Sequence, residues 1–93
     1  MINYIATFYT HFGAVSFRRR MASQAQDVRM MPVPRALSSS CGTCVSFNLP
    51  SEKKLSGELT ENDFPAQGSA DLEAVYEVKQ EGYALLYESK EPS

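Results

Sequence analysis

The sequence predicts one α+β domain of the ferredoxin-like kind, a βαββαβ sandwich with helices on one face of an antiparallel sheet. Three observations support this fold class. The 93 residues suffice for a single modest core. Hydrophobic residues make up 43% and charged residues 22% of the chain, as in ordinary globular proteins. Strand-like and helix-like patterns follow one another in the order β-α-β-β-(α)-β-β, so residues 1–93 form one predicted domain.

The first two predicted elements are a strand and an amphipathic helix. Residues 3–9 alternate in polarity and are rich in β-branched and aromatic side chains, which favours a strand. Thr10 offers an N-cap hydroxyl, so a helix is predicted from about residue 11 to about residue 24. Apolar residues recur along this helix at three- and four-residue spacing and form one stripe: Ala14, Phe17, Met21 and Ala25.

Two further strands flank a loop that contains both cysteines. Residues 28–31 predict a strand that Pro32 and Pro34 end, because proline cannot donate a hydrogen bond to a β-ladder. Residues 44–49 alternate again and predict the third strand.

The second half of the chain predicts a short helix and a linker. Residues 52–64 have helical spacing, although Gly57 interrupts the pattern and Pro65 ends it. Residues 66–70 are small and polar and are predicted to be a linker.

The chain closes with a predicted β-hairpin. Residues 72–78 and 83–87 have strand character and flank a glycine-containing turn. We expect residues 88–93 to be a frayed tail.

The predicted topology brings three features to one end of the sheet. In a split β-α-β unit the first and second strands run parallel. The start of the first helix, the end of the second strand and the cysteine loop then share an end. Thr10, His11 and the free N–H groups of the helix would lie near Cys41, and a helix N-terminus favours a thiolate.

Charge is distributed unevenly along the chain. Residues 1–50 carry five arginines and one acid, whereas residues 51–93 carry four lysines and ten acids, for a net charge of −2. Three adjacent arginines without a stacking aromatic motif indicate a solvated helix face, so we expect no nucleic-acid partner. No apolar run is long enough for a membrane span, and the N-terminus lacks a signal-peptide pattern. A cytoplasmic location is therefore expected, where structural disulfides are rare.

The cysteine loop is the segment whose residues are best suited to chemical reactivity. It reads Pro-Val-Pro-Arg-Ala-Leu-Ser-Ser-Ser-Cys-Gly-Thr-Cys over residues 32–44. Arg35 can attract the Cys41 thiolate, the hydroxyls of residues 38–40 can donate to it, and Gly42 allows backbone N–H groups to approach it. The predicted site residues are Cys41, Cys44, Arg35, Ser38, Ser39, Ser40, Gly42 and His11. The alternative interpretation is a polar turn without chemistry.

This loop resembles a motif of the small bacterial selenium/sulfur carrier-like protein family. Members carry Pro-x-Pro-Arg-x-Leu-Ser-Ser-Ser-Cys-Gly after a short strand, and residues 32–42 repeat that motif intact. The opening strand Tyr-Ile-Ala-Thr-Phe at residues 4–8 is also similar to that of the family. The resemblance covers about half of the chain, and its motif leaves only two positions open.

The resemblance implies that Cys41 carries sulfur or selenium as a persulfide or selenosulfide. A cysteine desulfurase or another donor protein would load it, so the protein would act as a carrier or accessory protein rather than as a self-contained enzyme. No cofactor is implied. The chain departs from the family at Thr43 and Cys44, where members have apolar residues. Cys44 is therefore either an added resolving thiol or a small strand residue.

Three other functions stay open at this stage. Cys41 and Cys44 have C-x-x-C spacing, which suits a dithiol that closes to a disulfide. A metal site would need four ligands, and two cysteines and one histidine supply too few in one chain, so none is expected unless a homodimer shares it. The domain can also serve as a ligand-binding or protein-binding module, in which Cys41 only packs.

Overall fold

The computed structural model describes residues 1–51 and 71–89. Within these residues the protein is a small α+β domain with one helix and a five-stranded antiparallel sheet. The elements are β1 Ile2–Phe8, α1 His11–Met21, β2 Gln26–Pro32, β3 Thr43–Leu49, β4 Leu72–Lys79 and β5 Gly82–Glu88. The predicted helix over residues 52–64 and the linker over residues 66–70 lie outside the described residues.

The sheet has the strand order β2-β3-β1-β4-β5. β1 and β2 each pair antiparallel with β3, and they therefore run parallel to each other. α1 consequently begins at the end of the sheet where β1 and β2 finish, and the β2–β3 loop lies at that same end. The predicted placement of the helix start beside the cysteine loop follows from this pairing.

The hydrophobic core lies between α1 and one face of the sheet. The predicted apolar stripe is confirmed, because Ala14, Phe17 and Met21 are buried and Ala25 packs against the core. The ring of Phe17 contacts Phe8 from β1 and Phe47 from β3, with centroid distances of 5.1 and 5.7 Å. Full burial of such side chains stabilises the fold by roughly 1.5–3 kcal/mol each.

Both ends of α1 are fixed by local hydrogen bonds. Thr10 is the N-cap as predicted, and its hydroxyl accepts a hydrogen bond of 3.0 Å from the Gly13 N–H. The helix ends at Met21 rather than near residue 24. The carbonyl of Met21 accepts from both Gln24 and Ala25, and this closing turn redirects the chain into β2.

Gly13 allows the first turn of α1 to pack closely against the start of β4. A β-carbon at Gly13 would lie 2.5 Å from the Cβ of Asp71. The Tyr9 N–H donates to the Asp71 carbonyl at 2.9 Å beside this contact. The glycine is therefore a packing requirement at this point, and the helix start has a fixed position on the sheet.

The chain stays ordered in the sheet to its last described residues. β5 includes Glu88, which pairs with Ala74, and the Ser89 N–H donates to the Glu73 carbonyl at 2.8 Å. A tail that begins at residue 88 is therefore wrong for these two positions, and residues 90–93 lie outside the described part. No helix in residues 1–51 and 71–89 is long and apolar enough to cross a bilayer.

Candidate functional site: the Cys41 loop

The Cys41 loop, residues 33–42, joins the edge strand β2 to β3. Its base is closed by the Val33 N–H, which donates to the Gly42 carbonyl at 3.1 Å. A turn follows the second proline, where the Leu37 N–H donates to the Pro34 carbonyl at 3.0 Å. The two prolines limit the conformations of the chain on the β2 side of this turn.

The backbone conformation at the base of the loop requires a glycine at position 42. Its φ angle is +74°, in the left-handed region that side chains with a β-carbon disfavour. A β-carbon there would meet no atom within 4 Å, so the requirement is conformational rather than steric. The sequence predicts that Gly42 lets backbone N–H groups approach Cys41. The positive φ angle is a second reason for a glycine at this position.

Two serines tether the loop to the sheet. The Ser39 hydroxyl donates to the Phe8 carbonyl at 3.0 Å, at the end of β1. Ser40 donates twice to Glu73 of β4, from its N–H and from its hydroxyl, at 3.1 Å each. The three hydrogen bonds hold the segment directly before Cys41 against the ends of β1 and β4.

The carboxylate of Glu73 reaches the loop from a β-bulge. Thr7 pairs with Ala74 and Phe8 pairs with Leu72, so Glu73 has no partner on β1. Bulges redirect a side chain and are frequent beside functional sites. Sequence reasoning missed Glu73, because a bulge arises from the pairing of distant strands and leaves no local pattern.

Cys41 is a partly exposed residue that packs against the core. Its Sγ donates to the Thr43 carbonyl at 3.4 Å and lies 4.0 Å from the Ser39 hydroxyl oxygen. The Ser39 hydroxyl donates its single proton to Phe8 and the Cys41 thiol donates its single proton to Thr43, so the approach of these two side chains is a contact rather than a hydrogen bond. The loop thus holds Cys41 in a defined and partly exposed position.

The second cysteine has a different environment. Cys44 is 0% exposed in β3, where it pairs with Thr7 and Met31, and its Sγ donates to the Pro32 carbonyl at 3.8 Å. Burial, together with a smaller contribution from the charge of a Cys41 thiolate, raises the pKa of Cys44 from 9.0 to about 11. Cys44 is therefore a neutral thiol at physiological pH, and both cysteines are free.

The remaining predicted site residues lie at the surface. Arg35 and Ser38 are exposed within the loop, and His11 is exposed as the first residue of α1. Among the described residues, no hydrogen bond or ion pair joins any of these three to Cys41. In the same part of the chain, no three His, Cys, Asp or Glu side chains cluster as a metal site would require.

Fold and loop together define a class of protein: a small α+β domain that presents one accessible cysteine at one end of its sheet. Residues 3–71 match the model of a protein family described as "Putative Se/S carrier protein-like". The chain belongs to this family, which confirms the resemblance seen in its loop motif. No curated protein and no solved structure matches the chain.

Proposed function

We propose that this protein carries sulfur or selenium on Cys41, as a persulfide or a selenosulfide. The observation that supports this role most directly is the contrast between its two thiols. Cys41 is partly exposed in the motif loop, whereas Cys44 is fully buried with a pKa of about 11. Only a thiol that can ionise and meet another protein is able to accept sulfur.

Loading follows the chemistry of persulfide exchange. The Cys41 thiolate attacks the outer sulfur of a persulfide on the donor protein. A new S–S bond forms at Cys41, the S–S bond of the donor breaks, and the donor cysteine leaves as a thiolate. The transferred sulfur keeps its proton, and no net oxidation occurs. The same balance holds for selenium, with an S–Se bond formed and broken.

The loop supports this exchange in two ways. Ser39 and Ser40 hold the loop to β1 and β4, so Cys41 has a defined position at the end of the sheet. Arg35 and Ser38 are exposed in the same loop and supply a positive charge and a hydroxyl donor for the persulfide anion. His11 and the first turn of α1 lie at this end as well and add a favourable dipole.

The donor and the compartment proposed for the protein are those that persulfide chemistry requires. A cysteine desulfurase is the proposed donor, and a reducing cytoplasm keeps both thiols free. The fold proposed for the whole chain is ferredoxin-like. The order β2-β3-β1-β4 supports this fold, and β5 extends the sheet at its edge. Because the sulfur comes from and returns to other proteins, the protein acts as a carrier rather than as a self-contained enzyme.

Intact mass spectrometry tests this function. The purified protein is incubated with a cysteine desulfurase and cysteine, beside its Cys41→Ser and Cys44→Ser variants. We expect a gain of about 32 Da, one sulfur atom, that dithiothreitol removes and that Cys41→Ser abolishes. Cys44→Ser is expected to load and to change only the lifetime of the persulfide. Equal loading of the Cys41→Ser variant would contradict the assignment.

A dithiol function is the second candidate. One observation favours it: the charge of Cys41 contributes to the raised pKa of Cys44, so the two thiols lie within electrostatic reach. Mild oxidation would then remove about two hydrogens, and both cysteines would be required. Loss of two hydrogens on mild oxidation, together with no sulfur gain in the desulfurase reaction, would favour the dithiol over the carrier.

A further inference from the structure

The exposed ring of Phe12 lies at the same end of the sheet as Cys41. Phe12 is the second residue of α1 and is 75% exposed, more than any other large hydrophobic residue in the described part of the chain. It lies off the apolar stripe of the helix, so the core makes no use of it. A ring this exposed leaves a large apolar surface in water.

Hydrogen bonds and packing fix the start of α1, where Phe12 lies, at the end of the sheet that holds the Cys41 loop. The Phe8 carbonyl at the end of β1 accepts from Ser39, two residues before Cys41. Only Tyr9 and Thr10 separate Phe8 from the start of α1. Gly13, directly after Phe12, packs against Asp71 at the start of β4 and fixes the helix start. Cys41 itself packs against the core on the α1 side of the sheet.

We propose that Phe12 is the docking residue for the protein that exchanges sulfur or selenium with Cys41. This inference rests on the proposed carrier function. Exchange between two proteins requires their sulfur atoms to touch, so the partner must cover this end of the domain during transfer. The partner is a persulfide-bearing protein with an apolar pocket for the Phe12 ring beside its own reactive cysteine.

The size of the surface favours a transient partner over a second copy of this chain. One aromatic ring buries on the order of 150–250 Å². A stable dimer needs about 1,200 Å² or more, whereas short-lived encounter complexes have less. A carrier must also release its donor before it can meet an acceptor, which a small interface with one anchoring ring permits.

The test compares two sulfur sources for three proteins. Wild type, Phe12→Ser and Leu85→Ser are loaded either by a persulfide-bearing cysteine desulfurase or by glutathione persulfide. Leu85 is the matched control, because it is 51% exposed and lies on the edge strand β5. The rate of Cys41 persulfide formation is followed by mass spectrometry, and thermal unfolding verifies that each variant is folded.

We expect Phe12→Ser to slow loading from the desulfurase about tenfold, which corresponds to about 1.4 kcal/mol. Leu85→Ser should load at the wild-type rate. Glutathione persulfide needs no docking surface, so it should load all three proteins equally. Equal desulfurase rates for Phe12→Ser and wild type would overturn the docking role. Loading of the wild type by glutathione persulfide but not by the desulfurase would also overturn the docking role, although it would leave the carrier function standing. Failure of both sources to load the wild type would overturn the carrier function itself.

Discussion

At the residue scale, the two cysteines differ in burial and in their place in the fold. Cys41 is partly exposed in a loop, and Cys44 is fully buried in a central part of the sheet. C-x-x-C spacing alone does not distinguish them. The difference arises because Cys44 is the second residue of β3 and faces the side of the sheet that also carries Thr7. A buried strand position makes a thiol a packing group rather than a nucleophile.

The raised pKa of Cys44 predicts a loss of stability at alkaline pH. The folded state keeps the thiol protonated to about pH 11, whereas the unfolded chain releases the proton near its ordinary pKa of 9.0. The contribution of Cys44 is therefore complete below about pH 9 and declines as the pH rises from 9 to 11. The total loss is on the order of 2–3 kcal/mol.

Urea unfolding at pH 8 and pH 10.5 measures this effect. The drop in the free energy of unfolding between the two pH values should be smaller for Cys44→Ala than for wild type, since tyrosine and lysine titrations are common to both. Equal drops would show that Cys44 ionises as readily in the folded protein as in the unfolded chain.

At the scale of elements, the Cys41 loop depends on contacts that two distant strands provide. The bulge at Glu73 gives Ser40 its acceptor, and the end of β1 gives Ser39 its acceptor. α1 reaches the same end of the sheet through the close contact of Gly13 with Asp71. The site is therefore assembled from β1, β4 and α1 as well as from the loop that carries the motif.

Removal of the Glu73 carboxylate should release the loop. Glu73→Ala leaves two Ser40 donors without their acceptor, and a loss of about 1 kcal/mol would raise the open population of the loop about fivefold. Iodoacetamide should then alkylate Cys41 about fivefold faster. Glu77→Ala is the control, because it removes the same charge from the same strand. An equal alkylation rate in both variants would show that the tether does not restrain Cys41.

Substitution of Gly13 should destabilise the protein although alanine is the better helix former. The added β-carbon overlaps with Asp71 at 2.5 Å and forces α1 or β4 to shift, at a cost of about 1–3 kcal/mol. The helix-propensity gain of up to about 1 kcal/mol offsets part of this cost. A lower denaturation midpoint for Gly13→Ala is the expected result.

The double variant Gly13→Ala/Asp71→Gly separates the two effects. Without the Asp71 side chain the clash disappears, so adding Gly13→Ala to Asp71→Gly should cost less than adding it to wild type. A stabilising effect of Gly13→Ala in the wild-type background would contradict the close packing seen between α1 and β4.

At the scale of the whole molecule, local patterns in the sequence predict the elements, and long-range contacts complete the site. The stripe of Ala14, Phe17 and Met21 identifies α1, and alternation identifies β1 and β3, because each pattern depends on near neighbours alone. The loop motif likewise identifies Cys41 and the family. Thr10 is correctly predicted as the cap of α1.

Other features depend on where distant segments meet. The helix ends three residues early because its last carbonyl closes a turn toward β2, and Glu88 belongs to β5 because β4 supplies its partner. Glu73 and the burial of Cys44 follow from the register of β4 and β3 on β1, which the sequence pattern does not encode. One local feature of the sequence indicates Phe12: it is an aromatic residue that lies off the apolar stripe of its helix.

The central claim is that Cys41 carries the transferred atom, and peptide mass spectrometry tests it most directly. Protein loaded by a cysteine desulfurase is treated with iodoacetamide, which caps persulfides and thiols alike, and is then digested. We predict that the fragment ions of the peptide locate an extra sulfur atom, about 32 Da, on Cys41 and none on Cys44. At most one extra sulfur atom per chain is expected. Extra sulfur at Cys44, or none at either cysteine, would contradict the account.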